Sequence, residues 1–172
     1  MKNWGYETWK NDPYDRKFAG LPPKGFGDFA WVQHMISSMN EKTGRVGIVL
    51  SSGVLFRSPE KTIRQKIIEE YDYLEAVVQL GPNIFYGTNI APCILIFKAT
   101  KKFTSKQNVF MINASQMYKP GRAQNYLHED HVKEIHRIFK KRKTNTHISK
   151  VVSLSEIKDL SLIHISEPTR PY

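Results

Sequence analysis

Leu74-Glu75-Ala76-Val77-Val78-Gln79-Leu80 and Ala91-Pro92-Cys93-Ile94-Leu95-Ile96-Phe97 are the two stretches whose relation decides the fold. Each is an apolar run of strand length, and Gly and Pro punctuate the segment between them. Only Gly81 to Ile90 separates the runs. A parallel crossover needs about a dozen residues or more, so the second strand is expected to be antiparallel to the first. Upstream, Ser58-Pro59-Glu60 has the form of a helix start, with a capping hydroxyl, Pro at the first helical position and an early acid. Ile63, Ile67, Ile68 and Tyr71 would then be its buried stripe. Before that helix, Arg45-Val46-Gly47-Ile48-Val49-Leu50 is a short β-branched run of the kind buried on both faces. Strand, helix, strand at this spacing predicts a right-handed parallel crossover. The result is a parallel α/β sheet closed by a reversed last strand.

Further outward the signals are simpler. Phe29, Val32, Met35, Ile36 and Met39 recur at helical spacing after Asp28, a good N-cap, which predicts a helix from about Phe29 to Asn40, ended by Gly44. Residues Met1 to Gly27 are rich in Gly, Pro, Asn and Asp with scattered aromatics, and read as one long loop. Downstream come a strand at Val109-Phe110-Met111-Ile112-Asn113 and a turn at Lys119-Pro120-Gly121-Arg122. An amphipathic helix ending in Lys140-Lys141-Arg142-Lys143 follows, and then the segment Val151 to Ile157.

Composition excludes several classes. A formal charge of +10 over 172 residues favours a polyanionic partner, with Lys140, Lys141, Arg142 and Lys143 as candidate DNA contacts. A solvated helix face, whose cations complement the helix C-terminus, explains the same run. No run approaches the roughly 18 apolar residues of a membrane span, and Met1-Lys2-Asn3-Trp4-Gly5 lacks the apolar stretch of a signal peptide, so a cytoplasmic protein without membrane contact is expected. The single cysteine, Cys93, sits in an apolar run as a small buried hydrophobe. His131 and His136 are five apart and fall on different helix faces, so the His128-Glu129-Asp130-His131 cluster is not expected to hold a metal. Gly25-Phe26-Gly27 lacks the strand and third glycine of a dinucleotide turn, and no nucleophile triad has a supporting context.

Ligands of open α/β sheets bind beyond the carboxyl ends of the strands. Two loops meet that edge: Ser51-Ser52-Gly53-Val54-Leu55-Phe56 and Gly81-Pro82-Asn83-Ile84-Phe85-Tyr86-Gly87-Thr88-Asn89. The aromatic pair Phe85 and Tyr86 is either packed into its loop or a stacking platform for a flat ligand such as a base.

The blocks Gly27-Asp28-Phe29-Ala30-Trp31-Val32-Gln33-His34-Met35, Gly44 to Leu50, Asn83-Ile84-Phe85-Tyr86-Gly87-Thr88 and Ala91 to Ile96 resemble, in order and spacing, the later blocks of the modification (M) subunit of type I restriction-modification systems. Trp9-Lys10-Asn11-Asp12-Pro13-Tyr14 and Gly20-Leu21-Pro22-Pro23-Lys24 extend the resemblance, which runs from about Trp4 to Lys158. It implies a DNA adenine-N6 methyltransferase using S-adenosyl-L-methionine, and the second half of its Rossmann-like sheet followed by a basic helical extension. The family's glycine loop and catalytic Asn-Pro-Pro-Phe would precede Met1, so no catalytic residue is assigned and the chain alone is expected to be inactive. By position in the family's block, Phe85 would stack on the flipped adenine, with Tyr86 second, and Asn83, Gly87 and Thr88 would shape the base-pocket loop. Trp31 and Phe29 would line the cofactor's adenine, with core packing the competing reading for Phe29.

Implied partners are duplex DNA, a specificity subunit and, through the complex, a restriction subunit. The corresponding division is 1–118 for the C-terminal part of the catalytic domain and 119–159 for an extension toward the partner. Residues 160–172 look like translated adapter or vector sequence and are set aside. The alternative function is a non-catalytic nucleic-acid-binding module built on the same basic helix and aromatic loop.

Overall fold

The computed structural model describes residues 3–102, 105–145 and 147–159, so the tail 160–172 lies outside the described residues. Its frame is a five-stranded sheet in the order β1-β3-β2-β4-β5. The strands are β1 (Arg45–Ser51), β2 (Leu74–Leu80), β3 (Pro92–Lys98), β4 (Asn108–Ala114) and β5 (Ser149–Ser153). β3 is antiparallel to β2, as the short connection requires, with Val77 opposite Leu95. β3 is also antiparallel to β1, with Ile48 opposite the same Leu95. β1 and β2 therefore run in the same direction, yet the reversed strand is inserted between them and no hydrogen bonds join them. On the far side of β2, β4 pairs parallel to it and β5 pairs antiparallel to β4.

Alternating side chains divide the sheet into two faces with separate cores. One face carries Val46, Leu74, Val77, Leu95, Phe97, Val109 and Met111. It is covered by Phe29, Val32 and Ile36 of α2 (Asp28–Ser37), by Ile63 of α3 (Lys61–Gln65), and by Ile67 and Ile68 of the π-helical turn Lys66–Glu70 that continues α3. The other face carries Ala76, Val78, Leu80, Phe110 and Ile112 and is covered by Ile135, Ile138 and Phe139. Those three belong to α4 (Glu129–Lys141). A bulge at Glu75 lets Leu74 and Val77, three apart, share one face, because the pairing with β3 shifts between Leu74 and Ala76.

Several expectations are corrected. The segment before α2 is not wholly irregular: α1 (Tyr6–Lys10) is a single turn, too short to show a periodic pattern. β1 is not buried on both faces. Val46 is buried, but Val49 points to the face that α4 covers only farther along the sheet, and it is 47% exposed. Asp28 is the first residue of α2 with Gly27 at the cap position, and its carboxylate meets Arg57 at 2.5 Å instead of capping. α2 ends at Ser37, short of Asn40. Ser58 makes no capping hydrogen bond, and Ser58–Glu60 is a 3-10 turn leading into α3. Tyr71 is partly exposed while the three isoleucines of its stripe are buried. Among the described residues, no helix is long and apolar enough to cross a membrane.

Candidate functional site

The carboxyl ends of β1 and β2 bring the two loops together. The backbone N–H of Ser52 donates to the carbonyl of Ala91 at 3.1 Å, which closes the first loop against the end of the second. Ser52–Leu55 forms a 3-10 turn whose Val54 and Leu55 are buried, leaving Phe56 partly exposed. In the second loop Phe85 is 48% exposed and Tyr86 is 86% exposed, so neither ring is packed into the fold. Ile84, between the sheet and those rings, packs on the β2 core. Asn83 and Gly87 both adopt left-handed backbone, with φ of 54° and 77°, and bracket the aromatic pair. The Thr88 hydroxyl accepts from the N–H of Ile90 at 3.1 Å, which ends the loop as it enters β3.

A third segment holds this loop from outside. Asn125 donates from Nδ2 to the carbonyl of Pro82 at 2.8 Å, and its backbone N–H donates to the carbonyl of Asn83 at 2.7 Å. Asn83 Nδ2 reaches the carbonyl of Ala123 at 3.5 Å. Sequence reading missed Asn125, since an isolated Asn in a turn has no periodic signature. Gly81 is required beside it: a Cβ there would run into the ring of Tyr118.

The first loop is anchored by charge. Arg57 bridges Asp28 at 2.5 Å and Glu60 at 2.6 Å, and stacks over the ring of Phe26 at 4.6 Å. Arg64 donates to the carbonyls of Val54 and Arg57, at 3.2 and 2.7 Å. Glu60 is fully buried, and that burial pushes its carboxyl above the usual carboxylate range. The start of α2 is thereby fastened to the exit of β1. Glu60 was read only as the early acid of a helix start and Arg57 and Arg64 were not singled out, because nothing local to Glu60 announces its burial.

The other expected site residues separate. Phe29 is 3% exposed and belongs to the core, so it offers no wall to a ligand. Trp31, two residues on, is 51% exposed and meets His34 edge-on at 6.5 Å. Lys140, Lys141 and Lys143 are exposed, but Arg142 departs from that run. It caps α4 in left-handed backbone, stacks over Phe110 at 5.3 Å and lies 3.4 Å from the carboxylate of Glu75. Arg45 approaches the same carboxylate at 3.1 Å, so the bulge residue draws together β1, β2 and the end of α4. His128 and His131 form a reciprocal capping box that opens α4. Cys93 is buried, and burial pushes its thiol up to about 12.

This sheet order, with a reversed strand inserted beside parallel ones, is the Rossmann-like N6-adenine methyltransferase arrangement. The model of the family "N-6 DNA Methylase" matches residues 1–163, and the chain belongs to that family. Its relatives in sequence and structure are methylase subunits of type I restriction systems. The MjaVII methylase subunit of a type I restriction enzyme of Methanocaldococcus jannaschii is 36% identical over 144 residues, covering 81% of this chain and 24% of the relative. The MpnII methylase subunit of Mycoplasma pneumoniae is 29% identical over 161 residues, 91% of this chain and 29% of the relative. The solved type I restriction-modification methyltransferase subunit from Streptococcus thermophilus superposes with a TM-score of 0.77 at 32% identity, covering 88% of this chain and 32% of that one. The chain thus spans between 24% and 29% of the length of these curated relatives.

Proposed function

We propose that residues 1–118 are the C-terminal part of the catalytic domain of a type I DNA adenine-N6 methyltransferase, and that the loop bearing Phe85 and Tyr86 is the wall of its target-base pocket. Residues 119–159 are the extension that faces DNA and the specificity subunit, with the restriction subunit joining through the same complex. The observation that carries the reading is the pair of exposed rings at the carboxyl end of β2, on a loop whose backbone is tied on both sides.

Adenine N6 is a poor nucleophile within a base pair, so methylation requires the base to leave the stack and its amine to be aligned with a methyl donor. An extruded base needs a flat apolar surface to replace its lost neighbours. Phe85 supplies that surface, with Tyr86 beside it, while Asn83, Gly87 and Thr88 set the backbone path that presents them. Of the two rings expected to line the cofactor's adenine, only Trp31 is open to a ligand. Phe29 is spent on the core, and Trp31 alone is left exposed at the start of α2. The greater part of the cofactor site is therefore assigned to residues outside this chain, and the chain alone is expected to transfer no methyl group.

The test is Phe85→Ala and Phe85→Trp in the holoenzyme, assembled with a cofactor-binding half and a specificity subunit. Loss of one stacking contact is worth about 1–3 kcal/mol, so the Ala variant should lose methylation by roughly that equivalent while keeping cofactor affinity and melting temperature, and Trp should retain activity. Early melting of both variants together with loss of cofactor binding would show that Phe85 supports the fold instead of the base.

A further inference from the structure

From Ala76 to His128 the sequence contains no Asp or Glu, although acids occur on both sides of that stretch. Its cations include Lys119 and Arg122, which lie on one turn. The turn is built to hold its shape. Lys119 and Tyr126 exchange backbone hydrogen bonds of 2.8 and 2.9 Å. Gly121 sits against the Tyr126 ring, where a Cβ would collide. Asn125, inside the turn, makes the two bonds to Pro82 and Asn83 that fasten the aromatic loop. Lys119 and Arg122 are exposed, and among the described residues neither makes an ion pair. The basic turn and the aromatic loop are thus one connected unit at one end of the sheet.

We propose that the turn Lys119–Tyr126 is a phosphate-binding contact for nucleic acid, with Arg122 taking a backbone phosphate next to the base that Phe85 stacks on, and with Asn125 as the positioning residue that couples the two. The proposal rests on the base-pocket reading and extends it to the partner's backbone. A phosphodiester fits the chemistry: a planar guanidinium presents paired donors to phosphate oxygens, and no acid stands in the stretch from Ala76 to His128 that carries it. Flipping a base moves its flanking phosphates, so a cation fixed to the stacking loop would hold the strand in the extruded geometry.

The experiment uses the chain itself and a duplex oligonucleotide with one 2-aminopurine opposite an abasic site. Binding is followed by anisotropy over a range of salt, and stacking by 2-aminopurine quenching. Arg122→Ala should lower the slope of log affinity against log salt by about one, Arg122→Lys should restore it, and Lys42→Ala, at the opposite end of the sheet, should leave it alone. Asn125→Ala should keep the slope and lose part of the quenching. Wild-type binding with a slope that Arg122→Ala does not change overturns the contact, as does failure of the wild-type chain to bind the duplex at low salt. The two readings separate cleanly: Phe85→Ala abolishing quenching while Arg122→Ala leaves the slope intact sinks the turn alone, and the reverse pattern sinks the base platform alone.

Discussion

β1 and β2 are strands of equal length in one sheet, running in the same direction, and both are dominated by small and β-branched apolar residues. β2 lies inside the sheet, between β3 and β4, and is buried on both faces. β1 lies at an edge, packs one face on the α2 and α3 core, and shows the other to solvent. Its exit is held instead by Arg57, half-buried between Asp28 and the fully buried Glu60. Two apolar runs of one kind are therefore stabilised in different ways, one by burial of surface and the other in part by an ion-pair network. The apolar content of a strand decides that it is a strand, and its neighbours decide what holds it.

The largest expected effect concerns that network. Arg57→Ala leaves Glu60 buried without its partner, which should destabilise the fold by about 3–5 kcal/mol at neutral pH. The sign with pH follows from Glu60. Its folded-state carboxyl titrates above its unfolded value, so the folded state holds the proton more tightly and stability falls as pH rises out of the ordinary carboxylate range. Acidification protonates the stranded group, and the gap between Arg57→Ala and wild type should narrow toward acid pH in urea titrations. A gap that stays constant or widens there would mean that Glu60 is not the source of the loss.

Next is the contrast between the strands themselves. Leu74→Ala in β2 should cost about 2–5 kcal/mol, as for other fully buried leucines. Val49→Ala in β1 should change stability by no more than about 0.5 kcal/mol, because its side chain is half open to water. Equal losses at the two positions would break the comparison. The smallest effect on stability should come from Val49→Lys. Since among the described residues β1 lies at a sheet edge with Val49 half exposed on its open face, the charge should suppress concentration-dependent association in sedimentation while leaving the melting temperature nearly unchanged. Association unaffected by Val49→Lys would place the sticky surface elsewhere.

The aromatic loop and the basic turn were both visible as residues before their geometry was known. The resemblance singled out Phe85 and Tyr86, and the structure adds that both rings are exposed and that Asn125 ties their loop to the turn. Arg142 shows the limit of such reading. In sequence it is one of four adjacent cations, but left-handed backbone after α4 turns it onto Phe110 and Glu75. Phe29 shows the same limit from the apolar side, since a ring at a helix start reads alike whether it lines a ligand or a core.

By itself the sequence determined β1 to β4, the α2 and α4 helices, and the reversal of β3, because periodicity and connection length are local quantities that the chain carries residue by residue. Only the tertiary structure decided that β3 would be inserted between β1 and β2, that β4 would pair parallel to β2, and that Glu60 and Glu75 would be buried against arginines. Those outcomes depend on which distant segments come into contact. The free energy of a strand pair or a buried charge is set by partners tens of residues away, and no local pattern records them.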